Sequence, residues 1–308
     1  MSTETTLQSR TNKIHAWFLA ARPKTLAAGF IPTLVATAVA FSSLKSIGHG
    51  KVIYFYSILA VLSTLFIQIG TNLINDALDF KKGADTETRI GPKRVTQSGL
   101  LSMKQVLAGG FFSFLIAALL GLPLVLHAGV PILILGIASL LCGYLYTGGP
   151  YPLAYVGLGE LFVILFFGFA AICGVHYIQT GVLNTDAVIA SLQIGFLATT
   201  LISINNFRDY INDKKVNKLT LAARFGQKFA RAEIISLFTA AYLLNIYWIL
   251  NNHLLAGLLP FISLPLAIKI CKGLLRNEPS PLFNKFLGMS AGVEMIFGIT
   301  MSIGLFLH

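Results

Sequence analysis

Charged residues are scarce in this sequence. Its 308 residues include 12 Asp and Glu and 23 Lys and Arg, so 11% are charged, whereas 55% are hydrophobic. A soluble globular protein has about 25% charged residues, and the composition therefore excludes that class. The net charge of +11 is typical of basic loops on the cytoplasmic side of a membrane, and does not by itself indicate a nucleic-acid partner. We expect a polytopic membrane protein.

Cysteine is also scarce. Cys142, Cys173 and Cys271 are odd in number, far apart and embedded in apolar runs. This pattern argues against a disulfide framework or a cysteine-based metal centre. We expect three buried and unreactive thiols.

Nine mostly apolar stretches are long enough to cross a bilayer as helices. They lie at about 24–43, 52–75, 104–127, 130–147, 153–175, 186–207, 232–250, 253–274 and 285–307. A hydrocarbon core of about 30 Å needs roughly 18 to 24 helical residues. The predicted fold class is an all-α membrane bundle of about nine transmembrane helices.

The distribution of basic residues predicts the orientation of this bundle. With the N-terminus inside, the inner segments hold 21 of the 23 Lys and Arg, and only Lys45 and Lys51 lie outside. Cytoplasmic loops carry such an excess. Residues 1–23 are polar and lack the apolar core of a signal peptide. We therefore expect a cytoplasmic segment at 1–23, one membrane domain at 24–308, and a multi-pass location that is the inner membrane if the source is bacterial.

Half of the acidic residues fall in two predicted inner loops, just after the second and sixth apolar stretches. Within each loop, two aspartates are spaced by three or four residues and so share one face of a helix. An asparagine precedes each pair by one helical turn. The acidic residues are Asp76, Asp79, Asp85 and Glu87 in the first loop, and Asp209 and Asp213 in the second.

Two matched carboxylate pairs at one membrane surface indicate a bound cation. Like charges repel unless a cation lies between them, and Mg²⁺ takes one or two carboxylates together with water and phosphate oxygens. Basic residues follow both pairs, among them Arg89 and Arg94 in the first loop and Lys218 in the second. An isoprenoid diphosphate would fit the metal, the bases and the membrane. The alternative interpretation is that these are solvated loop charges balancing nearby Lys and Arg.

These residues resemble the UbiA superfamily of intramembrane aromatic prenyltransferases. The first motif reads N-x-x-N-D-x-x-D-x-x-x-G-x-D from Asn72 to Asp85, and the second runs from Asn205 to Asp213. The resemblance covers essentially the whole chain. Three segments are similar to the 1,4-dihydroxy-2-naphthoate polyprenyltransferases of menaquinone synthesis: ARPKTL at 21–26, DTETRIGPKRVTQSG at 85–99 and YTGGPYPLAYVGLGEL at 146–161.

Two positions depart from the pattern of many superfamily members. Gly83 stands where a further aspartate is common, and the acid falls at Asp85 instead, as it does in the naphthoate branch. Asn217 stands where the family often has glycine. Glycine would permit a positive φ at this position, and asparagine tolerates a positive φ better than most other residues. We therefore expect the change to concern the conformation of the loop more than the chemistry.

The resemblance implies Mg²⁺-dependent transfer of a polyprenyl group from a polyprenyl diphosphate to a dihydroxynaphthoate-type aromatic acceptor, with loss of CO₂. Asp76, Asp79, Asp209 and Asp213 are the expected metal ligands. Asn72, Asn75, Asn205 and Asn206 are expected as ligands or as groups that orient them, and Asp85 as a substrate-binding residue. The expected partners of the diphosphate or the acceptor carboxylate are Arg89, Lys93, Arg94, Arg208 and Lys218.

Aromatic and buried acidic residues complete the candidate site. Tyr144, Tyr146 and Tyr155 are candidates to face the allyl cation, because aromatic faces attract positive charge. Their alternative role is as tyrosines of the membrane interface. Glu160 and Glu294 are ionisable groups at membrane depth and so are functional candidates, although Glu160 could simply hydrogen-bond nearby backbone.

Other classes of function keep some of these features. A transporter would also carry charges in its helices, but its charges belong to broken helices at the membrane midplane rather than to helix ends on one side. A prenyl-chain cyclase or a haem-modifying relative would keep the Asp motifs and change the acceptor. The naphthoate-like segments favour the aromatic prenyltransferase.

Overall fold

A computed structural model describes residues 13–47, 51–84, 90–92 and 94–307. Three of the predicted site residues, Asp85, Arg89 and Lys93, lie outside this part of the chain, as does Glu87.

Ten helical segments follow one another in the described residues, and these contain no strand. A short segment, α1, covers residues 13–21 within the predicted polar N-terminal segment. The others are α2 (Pro23–Ile47), α3 (Tyr54–Lys81), α4 (Met103–Ala128), α5 (Val130–Leu145), α6 (Gly159–Thr180), α7 (Thr185–Lys215), α8 (Leu221–Leu250), α9 (Leu254–Arg276) and α10 (Phe283–Phe306).

The predicted all-α membrane fold is confirmed. Within the described part of the chain, eight helices are long and apolar enough to cross a membrane, and α5 is a shorter apolar helix of 16 residues. The helices α2 to α10 correspond one by one to the nine predicted stretches. The count of nine crossings and the orientation of the N-terminus remain predictions. The three cysteines are free and half-buried.

The predicted loop positions of the motif aspartates are wrong. The second and sixth stretches end at about 75 and 207, but α3 continues to Lys81 and α7 to Lys215. Asp76, Asp79, Asp209 and Asp213 therefore lie in the last helical turns. An apolar run ends where the side chains stop being apolar, whereas the backbone ladder continues as long as the polar side chains find partners in the protein.

Close packing between helices depends on glycine. A Cβ at Gly70 of α3 would lie 2.4 Å from the Phe114 ring of α4, and one at Gly298 of α10 would lie 2.3 Å from the Ile31 side chain of α2. Small residues at such contacts let helix backbones approach each other in a membrane.

Helix α6 is irregular at its centre. Residues Ile164–Ala170 form a π-helical stretch, and a Cβ at Gly168 within it would lie 2.4 Å from the Ser191 carbonyl oxygen of α7. The stretch thus packs directly on the α7 backbone. Helix α9 is also interrupted, by 3₁₀ geometry at Leu259–Ser263.

The two ends of the bundle differ. The end where α3 and α7 finish is called the motif end. At the opposite end, Gln179 of α6 hydrogen-bonds both backbone groups of Ile53 and the hydroxyl of Ser57. The Tyr56 ring stacks on the His127 ring with 4.0 Å between centroids. These contacts join α3, α4 and α6 and close the bundle at its opposite end.

Candidate active site

A cavity of about 1140 Å³ opens between the helices and runs from the motif end toward the opposite end. Apolar side chains of α3 to α6 line most of it, down to Ala60, Leu124, Ile132 and Ile178. Polar residues line its motif end. They are Arg22, Asn72, Asn75, Asp76, Asp79, Arg94, Tyr146, Asn205, Asn206, Arg208, Lys218 and Asn284.

Asp76 holds the loop that follows the first motif. Its Oδ2 accepts the backbone N–H of Val95 at 3.3 Å, and its Oδ1 accepts that of Thr96 at 3.1 Å. The carboxylate is buried, and these two hydrogen bonds hold the 94–99 turn against the end of α3. This turn carries Arg94 into the cavity wall.

Asp79 lies one turn further along α3 and faces the cavity. Its Oδ1 accepts the hydroxyl proton of Tyr155 at 2.8 Å, and its Oδ2 lies 3.9 Å from the Arg94 guanidinium. Asn75 accepts from Arg22 at 2.9 Å and from Arg94 at 3.2 Å through the same Oδ1. Two guanidinium groups thus meet at one amide oxygen of the cavity wall.

The second motif is organised around Arg208. Its Nε and one terminal nitrogen donate to the two carboxylate oxygens of Asp209 at 2.8 and 2.6 Å. The same terminal nitrogen donates to Asn205, and the other to Asn284 of α10. This buried fork orders α7 against α10, and its donors are directed at protein groups.

We expect Arg208→Ala to destabilise the protein by about 3 kcal/mol or more, because it leaves the largely buried Asp209 carboxylate without its main partner. The check is thermal unfolding of purified protein in detergent. Arg208→Lys, which keeps the charge and loses the fork, should fall between the wild type and the alanine variant. Equal stability of all three would contradict this role.

One loop connects the two motifs. Tyr155, between α5 and α6, donates its hydroxyl proton to Asp79 and accepts the backbone N–H of Leu219 through its carbonyl. Its ring lies 4.4 Å from Lys82 Nζ and 5.7 Å from Lys218 Nζ. Asp213 Oδ1 lies 3.5 Å from Lys218 Nζ. Tyr155 therefore brings a lysine from each motif to the same place.

Lys82 and Asn217 fix the ends of the two motif loops. Lys82 Nζ donates to the Thr147 carbonyl at 2.6 Å, and burial lowers the pKa of its ammonium group below the ordinary value, an effect that the Asp79 carboxylate opposes. Asn217 has a φ of 54°, so asparagine provides here the positive φ that glycine would permit.

The cavity brings together most, but not all, of the predicted site residues. All four predicted asparagines, the first aspartate pair, Arg94, Arg208, Lys218 and Tyr146 line it. Asp209, Asp213, Tyr155 and Glu160 are not among the residues that line it. Tyr144 is also absent from the wall, and its ring centroid lies 6.0 Å from that of Phe111.

A model of the UbiA prenyltransferase family matches residues 29–290. The chain belongs to this family. It is a prenyltransferase and an integral, multi-pass membrane protein.

Curated relatives resemble this prenyltransferase over nearly its whole length. It is 32% identical to the 1,4-dihydroxy-2-naphthoate octaprenyltransferase of Bacillus subtilis over 289 residues, which cover 92% of this chain and 90% of the relative. It is 30% identical to the enzyme of the same name from Escherichia coli over 307 residues, 97% of this chain and 98% of the relative.

Solved structures share the fold of this prenyltransferase. A UbiA homologue from Aeropyrum pernix superposes with a TM-score of 0.66 at 14% identity, over 91% of this chain and 97% of the homologue. A homologue from Archaeoglobus fulgidus, bound to GPP and Mg²⁺, gives 0.60 at 16% identity, over 93% and 99% of the two chains.

The donor set of this prenyltransferase fits Mg²⁺ as long as the substrate contributes ligands. Carboxylate and amide oxygens face the cavity at its motif end, and Asp213 Oδ2 is buried without a hydrogen-bond partner. Within the described residues, no group of three or more His, Cys, Asp or Glu side chains could hold a metal by itself. Mg²⁺ in proteins is usually bound by one or two carboxylates together with water and phosphate oxygens of the substrate.

Sequence reasoning missed four residues that build the site of this prenyltransferase. Arg22 and Thr147 bind Asn75, Lys82 binds the loop of Thr147, and Asn284 binds Arg208. Arg22 and Thr147 lie in segments that resemble the naphthoate branch, and this resemblance could have identified them as site residues. Asn284 belongs to no motif, so the sequence offered no indication that it contributes to the site.

Proposed function

We propose that the protein transfers a polyprenyl group from an isoprenoid diphosphate to 1,4-dihydroxy-2-naphthoate, releasing diphosphate and CO₂ and forming demethylmenaquinol. The observation that carries the proposal is a cavity that joins a polar end with aspartates and bases to a long apolar channel. The names of the bacterial relatives support the donor and acceptor classes. The homologue bound to GPP and Mg²⁺ supports the metal.

The apolar channel suits a prenyl tail. Ala60 and Asp76 both line the cavity and are sixteen residues apart on α3, so at about 1.5 Å per residue the channel is about 24 Å deep. With carbon–carbon bonds of about 1.5 Å, an isoprene unit of four chain bonds extends about 5 Å. About five extended units fit, and a longer tail has to fold within the cavity or continue beyond it.

The motif end suits the diphosphate. The allylic C–O bond breaks heterolytically and its electron pair leaves with the diphosphate, so negative charge builds on the leaving group. Arg94 and Lys218 in the cavity wall stabilise that charge, and Arg22 beside Arg94 is a further candidate. Bound Mg²⁺ would add charge stabilisation of the same kind.

We assign the metal to the four motif aspartates. Asp76 and Asp79 face the cavity, and Asp213 lies within electrostatic reach of both Asp79 and Asp209. Asn72, Asn75, Asn205 and Asn206 are proposed as ligands or orienting groups. Asp85, Arg89 and Lys93 keep their proposed substrate roles, and Arg208 acts on the substrate site through Asn205.

The acceptor completes the reaction. The ring carbon that bears the carboxylate attacks the allyl cation, a C–C bond forms, and the carboxylate leaves as CO₂. The electron pair of the broken C–C bond restores the aromatic ring, so this step needs no separate base. Tyr146 lines the cavity and is the proposed aromatic neighbour of the cation.

An assay in membranes tests the proposal. Membranes from expressing cells receive labelled 1,4-dihydroxy-2-naphthoate and isoprenoid diphosphates of several lengths, with Mg²⁺ or with a chelator. We expect a prenylated, decarboxylated product that requires Mg²⁺. If the membranes formed a prenylated product from another aromatic acid and none from the naphthoate, the proposed acceptor would be wrong.

We infer that the active site faces the cytoplasm, because the motif end carries most of the basic residues. Single cysteines introduced at Lys81 or Lys214 should react with an impermeant thiol reagent only from the cytoplasmic side. Cysteines at Lys51 or Asn184, at the opposite end, should react only from the other side. The reverse labelling pattern would contradict the inferred orientation.

A further inference from the structure

Asn206 of the cavity wall is held by a buried glutamate behind it. Its side-chain Nδ2 donates to Glu160 Oε1 at 2.7 Å. Both residues are 4% exposed, but only Asn206 lines the cavity. The contact connects the start of α6 to the second motif on α7.

This contact fixes which end of the amide faces the cavity. A carboxylate oxygen accepts hydrogen bonds, so Glu160 selects the NH₂ end of Asn206. The carbonyl oxygen Oδ1 then points away from Glu160, and no hydrogen bond from the described residues reaches it. Asn75 differs, because its Oδ1 is occupied by Arg22 and Arg94 and its Nδ2 by Thr147.

Packing alone does not require a carboxylate at this position. Glu160 Oε2 is buried without a hydrogen-bond partner, and burying such an atom costs free energy that an apolar side chain would not. Glu160 lies in the first turn of α6, where the helix end favours negative charge. The residue is thus held as an acceptor at some cost in stability.

We propose that Glu160 is a positioning residue that turns Asn206 Oδ1 into the cavity, where this oxygen is a ligand of the Mg²⁺ that accompanies the diphosphate. The inference rests on the proposed function for the identity of the diphosphate. Mg²⁺ binds oxygen and rejects an NH₂ group, so the orientation of one amide decides whether Asn206 contributes to the metal site. Glu160 itself does not contact the metal.

Glu160→Gln tests this role because it keeps the shape of the side chain but no longer selects the NH₂ end of the Asn206 amide. The new amide can donate as well as accept, so Asn206 is free to present either end. We expect the Mg²⁺ concentration for half-maximal turnover to rise about tenfold or more, as for other residues that orient metal ligands. Mn²⁺ binding, followed by electron paramagnetic resonance in the presence of inorganic diphosphate, should weaken by a similar factor.

A double variant reverses the polarity of the hydrogen bond. In Glu160→Gln/Asn206→Asp the new glutamine amide donates to one oxygen of the new aspartate, and the other oxygen faces the cavity. We expect this variant to recover Mn²⁺ affinity and Mg²⁺ dependence relative to Glu160→Gln. Glu233→Gln is the matched control, because Glu233 lies near Glu160 and accepts from Ser203, which is absent from the cavity wall.

The outcomes separate this inference from the proposed function. Unchanged Mg²⁺ dependence and Mn²⁺ affinity in Glu160→Gln would overturn the inference, even if thermal stability fell, since the role would then be structural. An equal loss in Glu233→Gln would also overturn it. Weakened Mn²⁺ binding in Glu160→Gln, with no naphthoate product from the wild type, would support the positioning role and reject the proposed acceptor.

Discussion

Asp79→Asn should reduce Mg²⁺-dependent turnover by about two orders of magnitude or more, since it removes a cavity-lining carboxylate that is proposed to hold the Mg²⁺, and this Mg²⁺ would stabilise the negative charge that develops on the diphosphate. The fold should change little, because an asparagine Oδ1 can still accept from Tyr155. Initial rates in membranes with matched expression, together with thermal unfolding in detergent, provide the measurement.

Asp213→Asn should cause a comparable loss, and the double variant with Asp79→Asn should lose much less than the product of the two single effects. Groups that act as one unit are strongly non-additive. Asp186→Asn is the matched control, because Asp186 lies at the other end of α7 and bonds Tyr247. Near-normal turnover of Asp79→Asn would contradict the assignment of this carboxylate to the metal and leave it a structural role as the acceptor for Tyr155.

Gly121→Phe should change the choice of donor. Gly121 lines the deep part of the channel, and the nearest atom to an added Cβ is Ser63 Oγ at 3.6 Å, so a larger side chain can enter the cavity. Gly121 packs near Ser63, which precedes Asp76 by thirteen residues on α3. At about 1.5 Å per residue, Gly121 therefore lies about 20 Å along the channel from Asp76. Turnover with donors longer than about four units should fall about fivefold or more relative to a geranyl donor, because only the longer tails meet the new side chain and such overpacking costs about 1–3 kcal/mol.

The control for this variant is Leu119→Phe on the same helix. Leu119 is exposed and does not line the cavity, so its replacement should leave the ratio of long to short donors unchanged. The ratio is measured by competition between two labelled donors in one reaction. If Gly121→Phe lowered turnover equally with all donors, the proposal that this channel holds the prenyl tail and limits its length would be contradicted.

The sequence predicted the fold and the meeting of the two motifs, because both depend on local patterns. Apolar stretches reveal helices one at a time, and the distribution of Lys and Arg assigns their ends to two sides. The spacing of Asp76 and Asp79 gave their shared helix face. The full length of α3 and α7 was missed, since no apolar pattern extends into the last turns of these two helices.

The division of roles among the motif residues could not be predicted, because it depends on partners far apart in the chain. Asp76 binds the backbone of residues 95 and 96, and Arg208 binds Asn284, 76 residues away. Which tyrosine faces the cavity depends on the path of the loop between α5 and α6. The sequence shows the residue types in that loop, but the direction of Tyr155 arises from its contacts with Asp79 and Leu219.

The π-helical stretch of α6 has a consequence for sequence alignment. A π turn holds one more residue than a regular α-helical turn, and is equivalent to a one-residue insertion. If residues Ile164–Ala170 adopted regular α-helical geometry without losing a residue, the rest of α6 would rotate by about 100° relative to its first turn, because each α-helical residue turns the chain by that angle. Glu160 would keep its place beside Asn206, while Gly174 and Ile178 would leave the cavity wall. A relative with a regular α6 should therefore align with a single-residue gap at this stretch, and with matching cavity residues on both sides of the gap.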